Sequence, residues 1–227
     1  MSRAALLTTL VAGTALAGAG YYWTRRQRPA ALPAPSGVVP IIAPVIDLGV
    51  AETVLAQLER LPGDEVTVVL HTAGGCVTSC VLIANALQSF RRSIAVVPYL
   101  AISGGTLIAL SAKELQMGRS AALSAVDPII EGERVRHLPD DMPTPGIHAL
   151  ALEYEEAIRR FLRKTITLRI PEIGPAHLDR AVSFFMGEEA PHAWPIQRVE
   201  VQAMGLPVKP ASGAWAELVD AYRRRWW

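Results

Sequence analysis

The sequence predicts an α/β protein built on a parallel β-sheet with right-handed crossover connections, preceded by a membrane-spanning helix. Runs of consecutive apolar residues, typical of parallel strands that are buried on both faces, alternate with segments of helical apolar spacing. A length of 227 residues is enough for one sizeable core. An uncharged apolar segment near the amino terminus, Ala4 to Trp23, has the roughly 20 residues that a spanning helix needs.

This apolar segment is predicted to be a single membrane anchor. It ends in two tyrosines and a tryptophan and is followed by three arginines, a pattern typical of a membrane border. A cleavable secretory signal is the alternative, because Ala15 to Ala17 is an acceptable cleavage site. The anchor is favoured because the apolar run continues past that site, and the arginines favour a cytoplasmic globular domain. We assign residues 1–35 to the anchor and a proline-rich linker, 36–209 to the folded domain and 210–227 to an amphipathic tail.

The first half of the folded domain reads as alternating strands and helices, the order expected of a parallel sheet. The predicted elements are a strand within 38–48, a helix over 49–61, a strand within 62–72, a helix over 77–90, a strand over 93–100, a helix over 104–112, a short strand over 114–118 and its continuation over 120–126.

The pattern changes beyond Asp127 and Pro128. A polar, proline-rich stretch over 131–146 predicts a loop, and residues 147–166 have the spacing of a long amphipathic helix. A second helix is predicted over 174–185. The tail reads as an amphipathic helix with an arginine-rich end, suited to capping the domain, to meeting another subunit or to contacting a membrane surface.

Charge and cysteine content argue against several classes of function. The net charge is +1 without a basic stripe interleaved with aromatic residues, so nucleic acid is not a predicted partner. Cys76 and Cys80, the two cysteines, lack the companions of a zinc site or a disulfide scaffold and are expected to be buried thiols in a helix. With no phosphate-binding loop motif either, we expect neither a metal nor a nucleotide cofactor.

Two glycine-containing turns suggest a catalytic site. Gly74 and Gly75 follow a buried strand and precede a helix, so their backbone N–H groups are suited to polarising a carbonyl oxygen. Ser103 lies between a strand and the helix that opens at Gly104, where a serine hydroxyl projects outward as in nucleophile elbows. Taken alone, Ser103 is more simply a helix N-cap. Together, at the ends of adjacent parallel strands, the two turns predict acyl-transfer chemistry, with Gly104 as a further oxyanion donor.

These motifs resemble those of the serine dehydrogenase proteinase family. The resemblance rests on "HTAGG", "AISGGTLIALSAKELQMG", "VDP" and "HAWPI...AMGLPV", and it runs from about Val39 to Val208. That family is related to signal peptide peptidase A and, more distantly, to the proteolytic subunit of Clp protease. The resemblance implies a ClpP/crotonase-like spiral fold, a serine nucleophile at Ser103 and an oxyanion hole from Gly74, Gly75 and Gly104. It also implies homo-oligomers and, often, a membrane anchor.

The chain departs from the family pattern at the turn and at the general base. Ala73 stands where the family usually has proline. Asp127 and Pro128 stand where the Clp subunit carries its triad histidine. Gly146 lies close to the position where the membrane-bound relatives carry a lysine, and that loop contains no lysine.

A base must therefore come from elsewhere in the sequence. His192 is the first candidate, because an imidazole has a suitable pKa and the "HAWPI" motif lies near the site in relatives, with Asp127 as its possible partner. Local packing of His192 and a simple turn cap at Asp127 are the alternatives. His137 and His148 flank the loop as further candidates, and Lys164 is expected to be a solvated side chain. A base from a neighbouring subunit also stays open.

Three functions follow from these observations. The first is a membrane-anchored serine peptidase that acts on membrane-associated or unfolded proteins through a Ser103 acyl-enzyme. The second is an acyl-CoA enzyme of the crotonase type, which shares the fold and the oxyanion hole but for which no catalytic glutamate is evident. The third is an inactive peptidase-like scaffold at the membrane, which the missing lysine and triad histidine favour.

Overall fold

A five-stranded parallel sheet forms the centre of the protein, as the alternation of strands and helices predicts. The computed structural model describes residues 34–130, 133–137 and 147–226, and residues 34–220 form one compact unit. The order of the sheet is β1-β2-β3-β5-β10, and every neighbouring pair is parallel. Its strands are β1 (Val38–Ile42), β2 (Glu65–His71), β3 (Arg92–Val97), β5 (Glu114–Met117) and β10 (Val208–Pro210).

Seven helices lie in the described residues. They are α1 (Leu48–Glu59), α2 (Val77–Ser89), α3 (Gly104–Ser111), α4 (Ile147–Arg169), α5 (Pro175–Phe185), α6 (Arg198–Ala203) and α7 (Gly213–Trp226). Helix α1 begins as its sequence indicates, because the Asp47 side chain accepts a hydrogen bond from the N–H of Val50 at 2.8 Å. Almost every residue of α3 is buried, which explains its uniformly small and apolar sequence.

A second, three-stranded sheet corrects one prediction. Residues 120–126 do not continue β5; they contain β6 (Ala122–Leu123), which pairs in parallel with β4 (Leu100–Ala101) and antiparallel with β9 (Ile196–Gln197). Gly118 lies so close to the backbone of Pro98 that an added Cβ would be 2.3 Å from the Pro98 carbonyl oxygen. The chain therefore leaves the main sheet at a tight turn that only glycine fits.

The predicted loop after Pro128 begins with a hairpin. Strands β7 (Ile129–Ile130) and β8 (Glu133–Arg134) pair antiparallel and lead into a short 3-10 helix at Val135–His137. The two strands were not evident in the sequence because each has only two residues, too few for a period to emerge.

The predicted membrane anchor, Ala4 to Trp23, lies outside the described residues. In the part of the chain that the structure does describe, no helix combines the length and the apolar character that crossing a bilayer requires.

Two bridges outside the named strands bring the predicted glycine turn and the predicted serine turn together. Thr72 pairs in parallel with Ala101, and Gly75 pairs in parallel with Ile46. The turn after β2 consequently lies between the exit of β1 and the end of β4. Because β2 and β4 both run toward this edge, the residues that follow them form one site at the carboxyl ends of the strands.

Candidate active site

The glycine turn lies directly against the backbone of Ser103. A Cβ added to Gly74 would be 2.8 Å from the Ser103 Cβ and 3.0 Å from the Gly104 nitrogen, and Gly74 has a φ of +99°. Gly75 has a φ of +154°, and its added Cβ would be 2.3 Å from the Ile46 carbonyl oxygen. Both positions therefore need glycine, for conformation and for space.

The N–H groups of the turn divide into two kinds. The Gly74 N–H donates to Thr72 Oγ1 at 3.1 Å and is therefore already paired. Gly75 and Gly104 both line the cavity beside Ser103, and among the described residues neither of their N–H groups donates a hydrogen bond. The geometry thus favours Gly75 and Gly104 as oxyanion donors, and it gives Gly74 a steric rather than a donating role.

Ala73 holds the turn in place by a bond that proline cannot make. Its N–H donates to the Pro44 carbonyl oxygen at 3.1 Å, joining the turn to the exit of β1. The departure from the proline that the family usually has at this position therefore leaves the turn tethered.

Ser103 is a strained residue at the junction of β4 and α3. Its φ of +53° and ψ of −119° make it the one non-glycine residue with positive φ in the described chain. It occupies the N-cap position of α3, but its side chain makes no capping hydrogen bond. Ser103 is therefore the N-cap residue by position but does not cap the helix with its side chain, and it lines the cavity at the amino-terminal end of α3.

A buried hydroxyl network holds this strained backbone. The Ser103 N–H donates to Ser124 Oγ at 2.8 Å, and Ser124 Oγ donates to the Ala125 carbonyl at 3.0 Å. Thr106 Oγ1 accepts from the Ser124 N–H at 2.9 Å and donates to the Ala101 carbonyl at 2.7 Å. Ser124 and Thr106 are fully buried, so the network joins the serine turn to β4, β6 and α3 inside the protein.

His192 and Asp127 form a hydrogen-bonded pair across 65 residues of sequence, with His192 Nδ1 2.9 Å from Asp127 Oδ1. Local packing of His192 and simple turn capping by Asp127 therefore do not describe these residues. Burial of Asp127 opposes its ionisation, but hydrogen bonds from His192 and Arg134 outweigh this effect and hold the pKa of Asp127 below its ordinary value. Because an ionised carboxylate only accepts hydrogen bonds, His192 Nδ1 is the donor in this pair, and in the neutral imidazole the lone pair is then on Nε2.

Ser103, His192 and Asp127 line one cavity of about 350 Å³. The remaining wall is mostly apolar and includes Leu107 and Ile158. Within the described part of the chain, Ser103 Oγ and His192 are not hydrogen-bonded to each other. Such contacts are often long before a substrate binds and tighten in the reacting complex. The cavity thus brings together a serine hydroxyl, an oriented imidazole and two unpaired N–H groups.

The two cysteines differ from each other, which partly corrects the sequence prediction. Cys80 is buried and lines the cavity, and burial raises its pKa to about 12, so it is a neutral thiol that does not compete with Ser103. Cys76 is exposed rather than buried. Burial raises its pKa somewhat, but hydrogen bonds with Ser79 and Thr78 outweigh this and lower the pKa of Cys76.

The other candidate bases do not line the cavity. His137 is exposed in the short 3-10 helix, His148 lies in the first turn of α4, and neither lines the wall beside Ser103. Lys164 is exposed on α4, as predicted. Of the candidate base His192, its proposed partner Asp127 and the alternatives His137, His148 and Lys164, only His192 and Asp127 line the cavity with Ser103.

Sequence reasoning missed the residues that support the site. Arg134 donates to Asp127 from a segment predicted to be a plain loop, and Ser124 accepts the Ser103 N–H from a segment predicted to continue β5. Neither residue belongs to a recognisable motif. Both roles depend on contacts between segments that are distant in the chain, and no local spacing signals them.

Comparison with known proteins confirms the predicted family relationship over the first part of the domain. The model of the ClpP-like SDH-type serine proteinase family matches residues 37–146, just under half of the chain. This range contains Ser103, the glycine turn and Asp127, whereas His192 lies beyond it.

Two uncharacterized proteins of Methanocaldococcus jannaschii are similar to shorter stretches of the chain. One is 39% identical over 80 residues, which make up 34% of this chain and 28% of that protein. The other is 35% identical over 82 residues, 35% of this chain and 28% of that protein. The chain therefore matches just over a quarter of the length of these relatives.

Solved structures support the fold over most of the chain. A mutant of ClpP1 from Listeria monocytogenes covers 79% of this chain and 95% of its own, with a TM-score of 0.57 and 17% identity. ClpP1 from the same organism has the same coverage, a TM-score of 0.54 and 15% identity. At this identity the comparison establishes a ClpP-like α/β fold and nothing about chemistry.

Proposed function

We propose, on the premise that residues 37–146 are those of a ClpP-like SDH-type serine proteinase, that this protein is a serine peptidase with Ser103 as nucleophile. The observation that carries the proposal is the shared cavity, where Ser103 lies beside a His192–Asp127 pair and the N–H groups of Gly75 and Gly104.

The proposed reaction begins with attack of Ser103 Oγ on a peptide carbonyl carbon. The Oγ–C bond forms as the hydroxyl proton passes to Nε2 of His192, and the carbonyl oxygen takes the negative charge against Gly75 and Gly104. The imidazolium then gives its proton to the departing amine as the C–N bond breaks. Water hydrolyses the resulting ester with His192 again as base, and Asp127 keeps the imidazole in the required tautomer throughout.

The apolar wall of the cavity suits an uncharged substrate side chain next to the cleaved bond. We propose protein or peptide substrates that are unfolded or membrane-associated, because a segment must leave its own fold to enter a cavity of about 350 Å³. Homo-oligomers, which the resemblance implies, are part of the proposal, and the mass of the assembly in solution tests them.

A fluorophosphonate probe, which labels activated serines, tests the chemistry. We expect the full-length protein to be labelled, Ser103→Ala to be unlabelled, and His192→Ala and Asp127→Asn to be labelled at least about 100-fold more slowly, as when members of a triad are removed. His137→Ala is the matched control, since His137 is exposed and away from the cavity. An unlabelled wild-type protein that is folded and assembled contradicts the proposal and favours the inactive scaffold.

The crotonase-type alternative has less support. The acidic residue on the cavity wall is Asp127, and no glutamate lines the cavity in the part of the chain that the structure describes. Binding of acyl-CoA to the purified protein, measured by calorimetry, would favour this function over the peptidase.

Membrane anchoring through Ala4 to Trp23 is a separate part of the proposal, supported by the length and apolar character of that segment. We propose that the folded domain lies on the cytoplasmic side. The test is extraction of membranes with alkaline carbonate, which leaves a spanning protein in the pellet. Release into the supernatant, or an amino terminus beginning after Ala17, would contradict the anchor.

A further inference from the structure

Arg134 connects the Asp127–His192 pair to the segment that carries His192. Its Nε donates to Asp127 Oδ2 at 2.7 Å, on the carboxylate oxygen that His192 does not use. One terminal nitrogen donates to the Ala190 carbonyl at 2.9 Å, and the other donates to the Gly187 carbonyl. The second terminal nitrogen also donates to the Met186 carbonyl at 3.4 Å, so one guanidinium holds the carboxylate and three carbonyls of the chain before His192.

This arrangement is built into the packing around it. The Arg134 side chain is 14% exposed and that of Asp127 is 2% exposed, so the ion pair is largely removed from water. Gly187, with a φ of +64°, leaves the space for it, because an added Cβ would be 2.7 Å from Arg134 and 2.6 Å from the Ala125 Cβ. A planar fork with several donors suits this set of acceptors, and a lysine ammonium cannot reach them all.

We infer that Arg134 is a positioning residue, which fixes Asp127 and the segment 187–190 so that His192 faces Ser103. The inference rests on the proposed function for its catalytic meaning. Arg134 reaches the site from β8, across the hairpin that follows Asp127. The base of this protein therefore depends on a contact between two segments that are separated by more than 50 residues in sequence.

Arg134 and His192 are the charged or titratable groups that face Asp127 in the described residues, and both favour its ionised form. Without the guanidinium, the buried carboxylate of Asp127 keeps only His192 as a partner and takes up a proton at a higher pH than in the wild-type protein. A protonated Asp127 no longer holds His192 in the tautomer that accepts the serine proton. Loss of Arg134 is therefore expected to lower the reaction rate and to move the acidic limb of its pH–rate profile to higher pH.

The experiment compares full-length wild type, Arg134→Met, Arg134→Lys and Arg163→Met. Arg163 is the matched control, because its ion pair with Asp179 is exposed and neither residue lines the cavity. We expect fluorophosphonate labelling of Arg134→Met to be slower by on the order of 100-fold, the cost of misplacing a reacting group by about 1 Å. The acidic limb of its pH profile is expected to move upward, with partial rescue in Arg134→Lys and wild-type behaviour in Arg163→Met. Wild-type rate and profile in Arg134→Met would overturn the inference and leave the proposed function standing.

A second measurement does not depend on activity. The proton shared by His192 and Asp127 is expected to give a far-downfield NMR signal that is absent in His192→Ala and lost in Arg134→Met. If the wild-type protein is not labelled, the proposed function fails, and the NMR signal alone then decides whether Arg134 positions the pair. If that signal is still present in Arg134→Met, the inference is overturned. If Arg134→Met does not fold, Arg134→Lys decides in the same way, since a wild-type profile and signal there would mean that the fork is not needed.

Discussion

Replacing Ser124 with alanine tests whether the strained backbone at Ser103 is held by the buried hydroxyl network. Ser124 is fully buried, and its Oγ accepts the Ser103 N–H at 2.8 Å and donates to the Ala125 carbonyl at 3.0 Å. The alanine variant leaves both backbone groups without this partner. An unpaired buried N–H costs about 1–3 kcal/mol, and the positive φ of Ser103 is itself a state that costs about 1–3 kcal/mol. The free energy of unfolding is therefore expected to fall by about 1–3 kcal/mol.

Two measurements check this expectation. In a domain of this size each kcal/mol corresponds to roughly 2–4 °C in melting temperature, so the change is easily measured by thermal unfolding. Labelling by the fluorophosphonate probe is expected to slow as well, because the relaxed backbone moves the hydroxyl away from the oxyanion donors.

The matched control is Ser111→Ala on α3. Ser111 is also buried, and its Oγ donates to the Leu107 carbonyl at 2.8 Å, four residues earlier on the same helix. Removing that hydroxyl leaves no N–H unpaired, so a change of no more than about 0.5 kcal/mol is expected. Equal stability and equal labelling in Ser124→Ala and wild type would refute the reasoning, since the elbow would then be held without Ser124.

Three further predictions concern acid stability, the glycine turn and the thiols. Because the pKa of Asp127 is lowered in the folded protein, its stabilising contribution is present above about pH 4 and lost as the pH falls through the lowered value. Denaturant unfolding from pH 7 to 3 is expected to show a smaller loss of stability in Asp127→Asn than in wild type, and equal slopes would contradict this. The added methyl group of Gly75→Ala meets the Ile46 backbone, so this substitution is expected to lower the free energy of unfolding by several kcal/mol. Gly63 has open space around it, so Gly63→Ala is expected to leave the stability nearly unchanged. Equal melting temperatures of the two variants would show that the glycine turn can accommodate a side chain. Iodoacetamide is expected to alkylate the exposed Cys76 in the native protein and Cys80 only after unfolding, and peptide mass analysis identifies the modified residue. Modification of Cys80 in the native protein would mean that the reagent reaches the cavity wall that contains Cys80.

The alternation of buried strands and amphipathic helices was readable from the sequence because each strand and each helix carries its own period. The parallel sheet, α1 to α5 and α7 follow from those periods. β6 was assigned to the wrong sheet, and the short β9 and β10 were not predicted, because two or three residues give no period and their pairing is set by distant partners.

The candidate site was predictable to different degrees. The sequence was sufficient to identify Gly75, Ser103 and Gly104, because a turn after a strand needs particular residue types at fixed local positions. His192 was chosen because the resemblance places the "HAWPI" motif near the site, and Asp127 was named as its possible partner, since nothing local distinguishes either residue from other histidines and aspartates. The structure pairs them at 2.9 Å in the cavity that Ser103 lines, and the labelling experiment decides their role.

What the sequence by itself determined is the layer of the protein that depends on near neighbours: the strands and helices, the two tight turns and the apolar amino-terminal segment. Only the tertiary structure decided which N–H groups are available, which groups neighbour Asp127, and that Arg134 and Ser124 support the site. The physical reason is that hydrogen bonds and ion pairs are satisfied by whichever group the fold brings within about 3 Å, and sequence separation places no limit on that choice.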